Sequence, residues 1–440
     1  MTDTPDAITH RRILRMALPI VLSNATVPLL GAVDTGVVGQ LGQAAPIGAV
    51  GMGSVVLATV YWAFSFLRMG TSGLAAQAHG AGDAAERSAI LLRALLIGAA
   101  AGLAFILLQG PLIWATFRLS PASAEVEALT RSYLQIRLWG APATIGLYAV
   151  TGWLVALERT RGILALQLWM NGLNITLDLA FVLGLGWGVP GVASATLIAE
   201  WTGLALGLWL CREGLVGPVL AAARARIADA AALRRMLGVN RDIMVRSVLL
   251  QGSFTAFVFF GAGFGDVTLA ANQVLMQFLE ISAYALDGFA FAAEALVGQA
   301  VGARSVGRVR RASVMLGQWG AGGAVLIAAA IAMGGPAVID LVSTSAEVRA
   351  EARHFLPWLV LAPLIGAASW IFDGIFIGAT RTRAMMQAIL VAVAAYGVAL
   401  ALFVPLMGNH GLWAALMVLN LVRGIAMARR YPRVEAAAIA

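Results

Sequence analysis

The stretch Gln77-Ala78-His79-Gly80-Ala81 recurs in the second half of the chain as Gln299-Ala300-Val301-Gly302-Ala303. The same offset in residue number relates two further pairs, Gly152 with Gly374 and Thr160 with Thr382. A constant offset at three separated places predicts two halves of the same structure. Parallel repeats of this kind, related by an axis along the membrane normal, generally place a substrate cavity between the halves.

The composition around this repeat is that of a membrane protein. The chain has 440 residues, of which 60% are hydrophobic and 12% charged, and its mean hydropathy is +0.86. Soluble proteins carry about 25% charged residues, so a large water-soluble domain is excluded. Apolar runs long enough to span a bilayer occur at 13–38, 47–69, 89–110, 132–156, 162–186, 191–211, 240–263, 267–293, 312–333, 355–378, 384–407 and 410–428. We therefore predict an all-α integral membrane protein with twelve transmembrane helices in two pseudo-symmetric six-helix bundles.

The basic residues predict the orientation of these helices. All 30 are arginines, and all but five fall on one side of the membrane if the spans alternate. Because positive charge is concentrated in cytoplasmic loops, we expect both termini in the cytoplasm and a bacterial cytoplasmic (inner) membrane location. This placement accounts for the net charge of +8 without nucleic acid. The predicted lobes are 1–215 and 240–440, joined by a cytoplasmic linker helix at 216–239.

Three acids of the first half lie at membrane depth. Asp34 on the first span and Asp178 on the fifth are predicted roughly 8–12 Å below the outer surface, level with Thr196 on the sixth, at about 1.5 Å per residue. Glu200 is the third acid. Ionisable side chains inside the bilayer are costly and usually mark an ion pathway or a proton relay.

Asn171, Asn174 and Asp178 share one face of the fifth helix. Two carboxylates in a low-dielectric region repel each other, and a shared proton or a cation relieves that repulsion. We predict that Asp34, Asp178, Thr196 and an amide of Asn171 or Asn174 form a cation-coupling site that takes a proton or a sodium ion. Alternatively, the two acids only hydrogen-bond to neighbouring helices.

The second half carries a different pattern. A polar stripe with helical spacing runs along the eighth span and comprises Gln273, Gln277, Glu280, Tyr284 and Asp287. We expect it to line a substrate cavity, with Glu294 continuing it toward the cytoplasm; the alternative is hydrogen bonding between the lobes. Asp373 on the tenth span could attract a cationic substrate.

Two prolines, Pro19 and Pro28, interrupt the first span. Each removes a backbone hydrogen bond and permits a kink, so the helix could bend when a nearby acid changes charge. A static bend is the alternative. Either Pro19 or Pro28 could therefore be a conformational switch.

Motifs for catalysis or ATP use are not found. The four histidines are not at metal-ligand spacing, Cys211 is the single cysteine, and no phosphate-binding loop or nucleophile elbow occurs. We expect no enzyme, no cofactor other than the coupling ion, and no resident metal apart from sodium at the coupling site.

Four stretches together resemble the multidrug and toxic compound extrusion (MATE) family, in particular its bacterial DinF-like branch. They are 18–35, 66–80, 284–294 and 372–381. The resemblance implies a V-shaped pair of six-helix lobes that exports small amphiphilic, often cationic molecules in exchange for protons or sodium ions. It also implies functional roles for Pro19, Asp34, Asn174, Asp178 and Thr196.

The DinF-like resemblance favours protons over sodium ions, and we expect a monomer in the lipid bilayer. A lipid-linked oligosaccharide or lipid flippase of the same superfamily is the alternative function. A flippase would need arginines at membrane depth to hold a pyrophosphate. The sequence instead puts acids at that depth and predicts that the arginines lie in cytoplasmic loops.

Overall fold

The computed structural model describes residues 7–26, 33–34, 36–40, 42–120 and 122–439. Its helices in the first half are α1 His10–Ala25, α2 Ala44–Trp62, α3 Phe66–Gly80, α4 Ala84–Leu107, α5 Gln109–Leu119, α6 Ala124–Arg137, α7 Ala141–Ala156, α8 Thr160–Asp178, α9 Gly188–Leu210 and α10 Gly217–Arg226. Those in the second half are α11 Ala230–Ala262, α12 Asp266–Gly302, α13 Val306–Val342, α14 Ala346–Gly378, α15 Thr382–Met407, α16 Asn409–Arg430 and α17 Pro432–Ala437.

Eleven helices or continuous helix pairs among the described residues are long and apolar enough to cross a membrane. They run from Ala44–Gly80 to Asn409–Arg430 and correspond to the predicted second to twelfth spans. The predicted first span starts with α1 and continues into residues 33–34 and 36–39, which are also helical. Pro28 lies outside the described residues.

The chain divides into two compact units. One comprises Leu22–Met236, and the other comprises Met1–Val21 with Leu237–Ala440. The predicted lobe 1–215 differs from this division because Met1–Val21 groups with the second unit. The segment predicted as a linker helix contains α10 and the first turns of α11.

The two halves repeat in backbone detail. A Cβ added to Gly152 on α7 would lie 2.3 Å from the carbonyl oxygen of Arg68 on α3. A Cβ added to Gly374 on α14 would lie 2.2 Å from the carbonyl oxygen of Ala290 on α12. Arg68 and Ala290 are related by the same offset as the two glycines, so each unit packs the same two helices backbone to backbone at a glycine. This close approach is the usual role of small residues between membrane helices.

Turns repeat in the same way. Gly82 and Arg304 follow α3 and α12 with φ values of 72° and 52°, and Glu158 and Thr380 follow α7 and α14 with φ values of 58° and 49°. Both pairs are separated by the offset of the sequence repeat. Residues other than glycine adopt this left-handed backbone conformation only when the surrounding structure requires it. The two units therefore share this close helix contact and these turns at positions related by the sequence repeat.

Candidate cation-coupling site

The candidate site lies within the unit Leu22–Met236. Asn174 and Asp178 are one helical turn apart on α8 and therefore project from the same face. Directly after Asp178 the helix widens into a π-helical segment, Leu179–Gly184, a feature that is frequent at functional sites. Thr196 lies on α9, and Asp34 lies on the short helical stretch after α1.

The Asn174 side chain connects the other three. With its amide oriented to satisfy every partner, the nitrogen donates to Asp178 Oδ2 at 3.1 Å and to Asp34 Oδ1 at 3.2 Å, and the oxygen accepts from Thr196 Oγ1 at 3.0 Å. Amide orientation follows from such a network because oxygen and nitrogen have nearly the same size. The structure thus brings together all four residues predicted to form the site.

The two carboxyl groups lie in contact inside the unit. Asp178 is completely buried, and its side chain is within hydrogen-bonding reach of Asp34. Asp178 Oδ1 has no hydrogen-bond partner among the described residues. Buried polar atoms nearly always have a partner, so this oxygen is available to hold a proton or a cation.

Neighbouring polar residues serve other contacts. Glu200, the third predicted acid, forms an ion pair with Arg137 at 2.6 Å, and both side chains are buried. Asn171 accepts a hydrogen bond from Gln167 at 3.0 Å and donates to the carbonyl oxygen of Thr26 at 3.4 Å. Within the described part of the chain, no three His, Cys, Asp or Glu side chains gather as a metal site.

The predicted substrate stripe lies on α12 in the other unit. Gln273, Gln277, Glu280 and Tyr284 are exposed on the surface of that unit, whereas Asp287 is half-buried. Glu294 is buried among the helices. The exposed face is compatible with a cavity lining, and that role stays a prediction.

That Asp373 attracts a cationic substrate stays a prediction, and in the arrangement observed its carboxylate is paired with arginines. Asp373 is buried and accepts a hydrogen bond from Arg246 on α11, and Arg423 on α16 lies 3.7 Å away. Arg423 in turn donates to Ser369 Oγ at 2.8 Å. One carboxylate therefore already faces two cations inside the unit.

These arginines also correct the prediction that arginines occupy loops. Arg93, Arg137, Arg246 and Arg423 are all buried within helices. Each contacts a carboxylate, and none presents an open basic surface of the kind a pyrophosphate-binding flippase would need. Their position inside apolar runs is visible in the sequence and was the signal that could have revealed them.

Pro19 lies inside α1, where it cannot donate the helical hydrogen bond to the carbonyl of Arg15. The first residues of α1 belong to the same unit as α12, and a Cβ added to Gly288 would lie 2.6 Å from the carbonyl oxygen of Ala17. Asp34 follows α1 in the chain. A bend at Pro19 would thus change the path of the helix that precedes the first acid of the site.

Both halves of the chain match one known protein family. The sequence profile of the MatE family matches residues 19–180 and 243–403, that is, both halves of the chain. The chain belongs to this family, whose members are multidrug and toxic compound extrusion transporters.

Particular relatives agree with this assignment. DNA damage-inducible protein F of Escherichia coli K12 is 37% identical over 439 residues, which cover 98% of this chain and 93% of the relative. A probable multidrug resistance protein NorM of Deinococcus radiodurans is 27% identical over 96% of this chain and 94% of its own length.

Solved structures of the family share the fold. The Vibrio cholerae MATE transporter VcmN in the bent form superposes with a TM-score of 0.84 at 20% identity, over 97% of both chains. A MATE transporter in complex with MaD3S superposes with a TM-score of 0.81 at 23% identity, over 97% of this chain and 96% of that one. The predicted all-α fold of twelve membrane helices in two bundles is confirmed.

Proposed function

We propose that this protein is a secondary active exporter that moves amphiphilic, often cationic molecules out of the cell in exchange for protons by alternating access. The observation that carries the proposal is the Asn174 amide between Asp34 and Asp178. A buried carboxyl group, Asp178, in contact with the half-buried Asp34 cannot be ionised together with it without a large electrostatic cost. The pair is therefore a place where a proton can be taken up and released.

The amide of Asn174 gives the pair two stable hydrogen-bonding states. When the carboxylates are ionised, the amide nitrogen donates to both. When one carboxyl group carries a proton, its O–H is a donor. The Asn174 amide can then rotate by half a turn, so that its oxygen faces the carboxyl groups and accepts that hydrogen bond. In that orientation the nitrogen donates to Thr196 Oγ1 at 3.0 Å, and Thr196 donates to the carbonyl oxygen of Val192 at 3.0 Å.

This two-state arrangement supports protons as the coupling ion. In the first state, the amide nitrogen occupies one oxygen of each carboxylate, Asp178 Oδ2 and Asp34 Oδ1, and leaves Asp178 Oδ1 open. One open oxygen is enough to bind a proton, whereas a sodium ion needs several oxygen ligands at once. The carboxylate, amide and hydroxyl oxygens nonetheless form a hard ligand set, so sodium is an explicit arm of the test below.

Alternating access would follow from changes in α1. Loading neutralises Asp34, which lowers the cost of moving its segment within the apolar unit. Pro19 supplies a point where α1 can bend without losing a further hydrogen bond. One proton carried inward through 100 mV provides about 2.3 kcal/mol, enough for roughly a fifty-fold gradient of an uncharged substrate. For a monovalent cation exchanged one for one, the two charges cancel and the pH difference alone drives export.

The orientation and substrate contacts belong to the same proposal. We place both termini in the cytoplasm of a bacterial cell, with the protein acting as a monomer in the inner membrane. The exposed α12 residues Gln273, Gln277 and Glu280 would provide polar contacts for the substrate.

The test is ethidium efflux from proteoliposomes with an imposed pH gradient, an imposed sodium gradient, or neither. We expect the pH gradient alone to drive efflux, and Asp34→Asn and Asp178→Asn to reduce it at least tenfold. Asp266→Asn is the matched control, because Asp266 is exposed in the first turn of α12. Efflux by Asp34→Asn at the wild-type rate would contradict coupling at this site, and efflux driven by sodium alone would contradict the choice of protons.

A further inference from the structure

A long groove of about 550 Å³ runs between α13 and α14 in the unit that contains Leu237–Ala440. Small or apolar side chains line nearly all of it: Val314, Gly317, Ala321, Ala324, Val325, Leu364, Ala367, Ala368, Ile371, Phe372 and Ile375. Val314, Val325 and Leu364 are each about half exposed. The groove is therefore open at the surface of the unit and accepts hydrocarbon along its length.

The polar lining of the groove is confined to one end. Arg310 and Ser313 lie at the start of α13, and Tyr431 and Glu435 lie at the C-terminal end of the chain. The Tyr431 hydroxyl lies close to Ser313 and to Glu435, but neither the Ser313 nor the Tyr431 oxygen is held in a hydrogen bond of normal geometry. Two groups that can hydrogen-bond a ligand thus stand beside a cation where the apolar groove ends.

Glu435 uses only some of the N–H donors of the Arg310 guanidinium. Its Nε and Nη2 donate to the two carboxylate oxygens of Glu435, each at 2.9 Å. A guanidinium has five N–H donors in a planar fork that suits phosphate, so the side facing away from Glu435 can bind a phosphate oxygen. The Arg310 side chain is 66% exposed, which leaves it accessible.

The charge around this end is strongly positive. Six further arginines belong to the same two segments: Arg304, Arg308, Arg311, Arg429, Arg430 and Arg433. Glu435 is the one acid that the two segments 304–313 and 428–437 contain. Clusters of four to eight arginines next to a membrane helix favour anionic lipid headgroups.

The dimensions fit a lipid chain. From Ser313 to Val325 the groove follows twelve residues of α13, or about 18 Å at about 1.5 Å per residue. One leaflet contributes about half of the roughly 30 Å hydrocarbon core. A chain that starts at the charged end therefore reaches through about one leaflet.

We propose that this groove binds one acyl chain of an anionic phospholipid from the surrounding bilayer, with the lipid phosphate at Arg310 and the Ser313 and Tyr431 hydroxyls. The site is separate from the cation-coupling residues and does not depend on the proposed transport activity. A bound lipid would hold α17 against α13, because Glu435 and the phosphate share the same guanidinium.

The groove itself is tested with two matched glycines. Gly317 lines the groove and Gly322 does not, yet both lie on α13 and both have open space where a Cβ would project. The purified protein would be titrated with dioleoyl-phosphatidylglycerol and with dioleoyl-phosphatidylcholine, and bound lipid counted by native mass spectrometry. Displacing about two methylenes costs about tenfold in lipid binding, so Gly317→Phe should weaken binding by at least that factor and Gly322→Phe should not.

The headgroup contact is tested with two matched arginines. Arg310→Gln should weaken phosphatidylglycerol binding well over tenfold, because it removes a direct contact with the phosphate in addition to one positive charge near the lipid. Arg311→Gln, which removes an equal charge from an exposed neighbour that does not line the groove, should weaken it at most about fivefold, the effect of one arginine near an anionic surface. The milder Ala321→Leu replaces Gly317→Phe if the latter does not fold.

Three outcomes would overturn the proposal. They are equal lipid binding by Gly317→Phe and Gly322→Phe, equal binding by Arg310→Gln and Arg311→Gln, and phosphatidylcholine binding as tight as phosphatidylglycerol binding. Displacement of the lipid by ethidium at matched occupancy would also overturn it, because the groove would then be a substrate site.

Discussion

Replacement of Asp373 by Asn should destabilise the unit that contains it more than any loss of a surface ion pair. Asp373 is buried and faces Arg246 and Arg423, which are buried as well. The substitution keeps the shape of the side chain and removes its charge. Two guanidinium groups are then left inside the unit without a counter-charge.

The size of the effect follows from burial. Removing one partner of a buried ion pair typically costs about 3–5 kcal/mol, because the other charge is left uncompensated. For a unit of about two hundred residues, 1 kcal/mol corresponds to roughly 2–4 °C in the melting temperature. We therefore expect Asp373→Asn to lower the melting temperature by about 6–20 °C.

The assay is thermal unfolding of the purified protein in detergent, followed by intrinsic tryptophan fluorescence. Asp340→Asn is the matched control, because Asp340 pairs with Arg353 at 2.5 Å where both side chains are at least 40% exposed. Exposed pairs contribute at most about 1 kcal/mol. The double variant Asp373→Leu with Arg246→Met should melt above Asp373→Asn, because one of the two stranded charges is gone.

Equal melting temperatures for Asp373→Asn and Asp340→Asn would refute the reasoning. If Asp373→Asn also reduced ethidium efflux without changing the melting temperature, Asp373 would act on substrate, as the sequence pattern suggested. If Asp373→Asn lowered the melting temperature strongly but left ethidium efflux per folded molecule unchanged, Asp373 would serve the stability of its own unit.

Three further predictions concern packing, the linker helix and pH. Gly374→Ala should lower the melting temperature clearly, because the added Cβ would lie 2.2 Å from the Ala290 carbonyl oxygen. Gly397→Ala is the control: its Cβ would project into open space, so it should be neutral or slightly stabilising. Arg93→Ala should make α10 cleavable by trypsin in the folded protein. The Arg93 guanidinium donates to the carbonyl oxygens of Arg226 at 2.5 Å and Ile227 at 3.3 Å, and these two residues end α10. Unchanged cleavage would contradict this prediction. The hydrogen bond from Arg310 holds the pKa of Glu435 below its ordinary value, so this contact stabilises α17 above the unfolded pKa of about 4.3 and is lost as pH falls through the lower folded pKa. Protection of the amides of 432–437 from hydrogen exchange, taken relative to the intrinsic rate at each pH, should fall only in that acid range, and Glu435→Gln should lack this protection at every pH.

The repeat, the spans and the proximity of Asn174 to Asp178 could be predicted from the sequence because each depends on short-range spacing. An apolar run of sufficient length predicts a span, and residues four apart on a helix share a face. Asn174 and Asp178 are four residues apart and therefore share a face of their helix. Their predicted depth below the outer membrane surface placed them level with Thr196. These arguments need no knowledge of which helices are neighbours.

Partners distant in sequence could not be predicted in this way. Arg246 and Asp373 are 127 residues apart, and Arg137 and Glu200 are 63 apart. The sequence shows that each charge lies in an apolar run but not which run packs beside it. Asp373 was therefore interpreted as an open acid, although its two counter-charges were already visible on other spans.

The repeat also explains why a single cation site is expected. The offset that relates the two halves carries Asn174 and Asp178 onto Tyr396 and Leu400, which are buried on α15. Tyr396 donates to the carbonyl oxygen of Ser253 at 3.3 Å, and Leu400 belongs to the apolar core of its unit. The same offset preserves the glycine contacts at Gly152 and Gly374. The two halves therefore share these packing positions but not the acid and the amide, so the packing that they share does not account for Asn174 and Asp178. A buried carboxylate with an unpartnered oxygen is costly inside a membrane, and this cost supports the coupling role proposed for Asp178.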